Sequence, residues 1–153
     1  MWQRKQTVYL IVAVILTFIC LCMQIGAFNL GGVDVAKVYN LWYTDPIGKH
    51  HFDVWPRMAI LLPTAALGTY AIFLFHNRKV QALLCALNVL LIVGWYICFI
   101  VVGHVAGNHA WGTVEFHPQW PAVFPAIALI LYLLARRAIR ADEKLVRSLD
   151  RIR

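Results

Sequence analysis

From Val80 to Gly103 the chain runs twenty-four residues without one charged side chain, and three more such runs stand beside it: Thr7 to Gly26, Met58 to Phe75 and Trp120 to Ala135. A helix rises about 1.5 Å per residue, so roughly twenty apolar residues span the ~30 Å hydrocarbon core of a bilayer. No soluble domain of 153 residues can bury four runs of this kind. The rest of the composition agrees: 61% of residues are hydrophobic and 14% charged, against about 45–50% and 25% in soluble domains. The predicted class is therefore an all-α transmembrane protein, with residues 1–153 forming one integral membrane domain. Its spans are expected at about residues 7–26, 58–75, 80–103 and 120–135.

The charges decide how the spans are threaded. Directly after Ala135 comes RRAIRADEKLVRSLDRIR, residues 136–153, in which six arginines and one lysine stand against three acids. The turn His76-Asn77-Arg78-Lys79 is too short for anything but a tight polar reversal. If both termini and this turn lie on one side, that side holds Arg4, Lys5, Arg78, Lys79 and the seven tail cations. The other side holds only Lys37, Lys49 and Arg57 of the fourteen in the chain. This is a strong positive-inside bias. It predicts a four-helix bundle with both the N and C termini in the cytoplasm. A cleaved leader shares the basic start and the apolar run of the first span. That run exceeds the usual leader length, however, and its exit, CMQIGAF, is a poor small-x-small cleavage site.

Two outer connections follow, residues 27–56 and 104–119. Within the first, Asp45-Pro46-Ile47-Gly48 has the residue preferences of a type I turn, and its flanks, KVYNLWYT and KHHFDVW, are β-branched and aromatic. A small outer cap results, either a β-hairpin or an irregular loop, and Thr113 to Phe116 could add a strand to it. Trp42, Tyr43, Trp55, Trp111 and Trp120 fall near the outer boundary, where an aromatic belt belongs. Pro118 and Pro121 suit the first turn of the fourth span, while Pro125 is expected to bend it.

Three segments, QRKQTVYL at the start, NRKVQALLCALNVLL at the third span and AIRADEKLVRSLDRIR at the end, resemble a family of small four-helix membrane proteins typical of Bacteroidota. The ending DEKLVRSLDRIR is the most distinctive part. The family is catalogued as a domain of unknown function. The resemblance implies the fold class and the inner-membrane placement, and brings no catalytic residues with it.

Candidate chemistry is sparse. His50, His51, His104, His109 and His117 fall on the outer side together with Asp53 and Glu115. As a group His50, His51, His109, His117, Asp53 and Glu115 could hold a transition metal if the two outer connections meet. Their spacing matches no metal motif, and interfacial histidine is the blander account. The four cysteines lie inside apolar runs with no CxxC pair, which speaks against thiol oxidation. Asp and Glu are absent from all four spans, which speaks against transport by an embedded carboxylate. No basic stretch alternates with aromatics, so a nucleic acid partner is not expected. No cofactor and no catalytic residue are expected either.

Two constellations point instead to packing and interaction. Arg78, Gln81, Cys85 and Asn88 recur at i, i+3, i+7 and i+10 on one face of the third span, where amides need partners across a helix contact. In the tail, Ala138 or Ile139, then Leu145, Val146, Leu149 and Ile152 recur at helical spacing, and Glu143 can reach Arg147 at i, i+4. A basic amphipathic helix of this kind either lies on anionic lipid headgroups or projects into the cytoplasm. Asp142, Glu143 and Asp150 would be wasteful in a helix that only bound lipid. They point to salt bridges, to the Arg78/Lys79 region or to a membrane or cytoplasmic protein partner; the equal alternative is a solvated, anchoring basic tail that needs no partner. The expected function is a non-enzymatic structural or accessory subunit of a membrane complex; the alternative is a membrane enzyme or redox/metal protein built on the outer histidines.

Overall fold

The computed structural model describes the backbone of residues 2–45, 47–74, 77–111 and 115–150, and the side chains of residues 5–45, 47–74, 77–103 and 115–146. Four helices dominate it: α1 Trp2–Cys22, α2 Pro56–Phe73, α3 Arg78–Trp111 and α4 Phe124–Asp150. Helix α1 packs on α2 and α4, and α3 packs on the same two, so contacts close a ring in the order α1–α2–α3–α4. The strands β1 Gly26–Leu30, β2 Val33–Val38, β3 Tyr43–Thr44, β4 His50–His51 and β5 Glu115–Pro118 form one antiparallel sheet in the order β4-β3-β2-β1-β5. It sits where α1 and α3 end and α2 and α4 begin. Among the described residues, three helical segments are long and apolar enough to cross a membrane: Lys5–Cys22, Arg78–Gly103 and Trp120–Val146.

The cap is larger than one hairpin. The Asp45–Gly48 turn does join an antiparallel pair, β3 and β4, with Gly48 N donating to Asp45 O at 2.8 Å. A second hairpin, β1–β2, precedes it and turns at Gly31 and Gly32, both at positive φ. Here Gly32 N donates to the Asn29 side-chain oxygen at 2.8 Å, and the left-handed backbone needs a residue without Cβ. The uncharged run from Thr7 hides the change of structure. It reads as one helix through Gly26, whereas α1 stops at Cys22 and the remaining apolar residues enter β1, burying Ile25, Ala27 and Phe28. Strand β5 adds to the far side of β1, pairing Phe116 with Phe28. The Phe116 ring slots between Gly26 and Gly103, where a Cβ would approach it to 2.5 and 2.9 Å.

Helix boundaries follow backbone chemistry more closely than polarity. Helix α3 continues past Gly103 to Trp111, into what reads as an outer connection, since HVAGNHAW holds no proline to stop it. Pro121 lies in a 3-10 turn, Trp120–Val123, and Pro125 in the first turn of α4, where its missing N–H has no helical partner to lose. That placement removes the need for a bend at Pro125. At the other end α4 does not break at the arginines; it is one helix to Asp150.

Two cores result. One joins the sheet to the helix ends, around Phe28, Val38, Val54, Leu61, Trp95 and Phe99. The other runs down the helices around Leu10, Cys85, Ile92, Tyr132 and Ile139, with alanines at 13, 82, 128 and 135 that let the backbones approach. Ile139 is fully buried, so the first part of the tail belongs to this core.

Candidate functional site

The outer candidates separate. His50 and His51 stand on β4 and His117 and Glu115 on β5, at opposite edges of the sheet with three strands between them. At about 4.8 Å per strand this is roughly 19 Å. Each histidine has a local neighbour instead. His50 Nδ1 and Thr44 Oγ1 share a hydrogen bond of 3.2 Å, His51 Nε2 lies 3.2 Å from Asp45 Oδ2, and His117 Nε2 lies 3.5 Å from Glu115 Oε2. His51 also stacks on Tyr43, with ring centroids 4.9 Å apart. Burial, and after it the carboxylates of Asp53 and Asp45, push the Tyr43 phenol above its ordinary pKa. Asp53 is exposed, and the side chains of His104 and His109 lie outside the described residues. Among the described residues, no three His, Cys, Asp or Glu side chains gather closely enough to hold a metal ion.

Beneath the sheet the polar groups converge. Asn40 is 1% exposed; its Nδ2 donates to Cys20 O at 2.7 Å while its Oδ1 accepts from Trp95 Nε1 at 3.0 Å. Cys20 O is one of the last carbonyls of α1, which no helical N–H can reach. One buried amide thus caps α1 and ties it to α3. Arg57, in the first turn of α2, is fully buried. Its Nη2 donates to Tyr39 O at 3.1 Å, whereas Nε and Nη1 have no hydrogen-bond partner. Among the described residues no carboxylate pairs with it. A buried, unpaired guanidinium opposes folding, and replacing it with an apolar side chain of similar shape is often neutral or stabilising. Arg57→Met is accordingly expected to leave thermal stability in detergent unchanged or raised. A fall of more than about 2 kcal/mol would mean that the bond to the Tyr39 carbonyl outweighs the cost of burying the guanidinium.

Midway along the helices, all four contribute to one layer. The Tyr132 hydroxyl of α4 lies beside Thr17 of α1 and Asn88 of α3, and it rests on Gly68 of α2. Thr17 and Asn88 are fully buried. Thr17 Oγ1 donates to Ala13 O at 2.8 Å, while the Asn88 amide and the Tyr132 hydroxyl reach no hydrogen bond of good geometry. Gly68 is the residue that lets the Tyr132 ring end there. The clue in the sequence is a single large side chain in the small-residue series Ala128, Tyr132, Ala135.

The third polar cluster lies at the opposite end from the sheet. Arg78 Nη1 is 2.7 Å from Asp142 Oδ2, joining the start of α3 to the tail. Gln81 is buried, and its Nε2 donates to Ala71 O at 2.9 Å, capping the C-terminal turn of α2. With Gln81, Cys85 and Asn88 turned inward, the polar stripe of α3 faces its neighbours. Glu143 is partly exposed; the side chains of Arg147 and Asp150 lie outside the described residues.

Sheet, buried polar layers and apolar helices together define a mostly helical protein with helices fit to cross a membrane and a small antiparallel sheet at one end. The chain belongs to the family described as a domain of unknown function (DUF4293), whose model matches residues 2–152. None of the curated proteins compared with it is similar to the chain.

Proposed function

We propose that this chain is a four-helix membrane bundle serving as a structural or accessory subunit of a membrane complex, in a bacterial inner membrane. Both termini and the turn between α2 and α3 face the cytoplasm, and the sheet lies outside. Eleven cations against three favour this threading. The antiparallel run of α2 between α1 and α3 supports it as the fourth crossing, although its start at Pro56-Arg57 lowers its mean hydropathy.

The observation that carries the reading is the docking of the tail. Ile139 is buried against the other helices and Asp142 is held by Arg78. The start of the tail is thereby a fixed part of α4 rather than a loose tether, which supports its use as a rigid mount for a protein partner that engages the chain beyond Lys144. Elsewhere the buried amides of Asn40 and Gln81 tie helix ends together, and among the described residues the outer histidines stand at both sheet edges. Deleting Leu145 to Arg153 is expected to change the set of proteins that cross-link and co-purify with the chain from native membranes. An unchanged set sinks the proposal.

A further inference from the structure

We infer that the outward face of α4, just past its apolar part, is a seat for the phosphodiester headgroup of an anionic phospholipid. This deepens the reading above and rests on the cytoplasmic placement of the tail. Along α4 the exposed residues change character abruptly. Ile127, Ile130, Leu133 and Leu134 are exposed apolar side chains; Arg137, Arg140 and Lys144 are the next exposed cations. The switch falls where a bilayer would place it. Trp120 is 63% exposed, as an aromatic at the outer boundary should be, and the path from it to Arg137 through the 3-10 turn and α4 is about 27 Å. That is close to the ~30 Å hydrocarbon thickness. Arg137 to Lys144 then covers about 10 Å along the axis, enough to cross a headgroup layer of about 5–8 Å.

Arg137, Arg140, Ala141, Glu143 and Lys144 line one shallow, open hollow of about 610 Å³ between side chains of this single helix. Ala141 leaves room between the cations. Asp142, the acid next to them in sequence, is turned inward to Arg78 and does not neutralise them. Three cations and one carboxylate leave the hollow positive. Arginine forks suit phosphate oxygens. Acyl chains of a lipid seated there run down the exposed Ile130 and Leu133 face of the same helix. Continuity of a cationic hollow with a lipid-facing apolar stripe is what singles out a phospholipid over a soluble anion.

The test uses the full chain in detergent, with melting temperature read against added phosphatidylglycerol, phosphatidylcholine or inorganic phosphate. Phosphatidylglycerol is expected to raise the melting temperature, and the other two to have no comparable effect. Arg137→Gln/Arg140→Gln/Lys144→Gln should weaken the phosphatidylglycerol response about a hundredfold in concentration, at about 1 kcal/mol per cation. The milder pair Arg140→Gln/Lys144→Gln should weaken it less. Lys37→Gln/Lys49→Gln/Lys79→Gln, which removes the same charge elsewhere, should leave it intact. Equal responses in both triple variants overturn the seat, as does no preference for phosphatidylglycerol over phosphatidylcholine. A matching response to inorganic phosphate makes the ligand a soluble anion and overturns the lipid assignment. A wild-type chain that fails to enter lipid nanodiscs contradicts the membrane reading itself, which the other outcomes leave standing.

Discussion

Gly68→Val is expected to be the most damaging single substitution in the helices, lowering stability in detergent by about 3 kcal/mol, the upper end for overpacking a close-packed core. A Cβ at Gly68 would overlap the Tyr132 hydroxyl and press on Val14 Cγ2 at 2.8 Å. Neither neighbour can step aside, because Tyr132 is fully buried and Val14 is 7% exposed. The cause is testable by pairing changes. Gly68→Ala introduces the smallest Cβ, and Tyr132→Phe removes the atom it meets first. The double variant should be more stable than the sum of the singles predicts, by about 1 kcal/mol or more. Additive singles would mean that the two residues do not meet.

The second large effect is expected at Asn40. Asn40→Ala strands two buried groups at once, the Trp95 indole N–H and the Cys20 carbonyl. Each unsatisfied group costs about 1–3 kcal/mol, so a loss of about 3 kcal/mol should appear in thermal or denaturant unfolding. Asn40→Asp is more informative. Its carboxylate could still accept from Trp95, but it would face the Cys20 carbonyl and the negative end of α1. Burial and that carbonyl raise the folded-state pKa of the new carboxyl above its unfolded value. Its protonated form supplies the missing donor, so stability should be highest at low pH and fall as pH rises through the folded-state pKa. Asn40→Ala should show no such pH dependence. Matching pH profiles for the two variants would remove Asn40 as the cap of α1.

The contrast between these sites and the sequence shows which physics a single chain exposes. Hydropathy marks where apolar residues accumulate, so the helices are visible, but it does not say where a helix ends. The first run continues from α1 into β1 because Ile25, Ala27 and Phe28 are as apolar as the helix before them. Strand β1 was therefore hidden, and with it the Gly31–Gly32 hairpin. The Asp45–Gly48 turn was legible because turn chemistry is local. Asn40 and Arg57 were not, because their partners, Cys20, Trp95 and Tyr39, are brought near only by the docking of the sheet on the helix ends. In the tail, the spacing of Ile139 and the acids predicted an amphipathic helix with salt bridges. Which of the proposed partners Asp142 meets, Arg78 or another protein, needed the structure.

The central claim is the proposed threading: four crossings, with the sheet outside and both termini and the α2–α3 turn inside. Helix α2 is its weakest link, and Lys79, just after α2, reports on it most directly. In a variant with all four cysteines replaced, single Lys49→Cys, Lys79→Cys and Lys144→Cys substitutions can be probed with a membrane-impermeant maleimide on intact spheroplasts. Labelling is expected at position 49 alone, with positions 79 and 144 reacting only after the membrane is opened. Labelling of position 79 or 144 in intact cells, or protection of position 49, contradicts it.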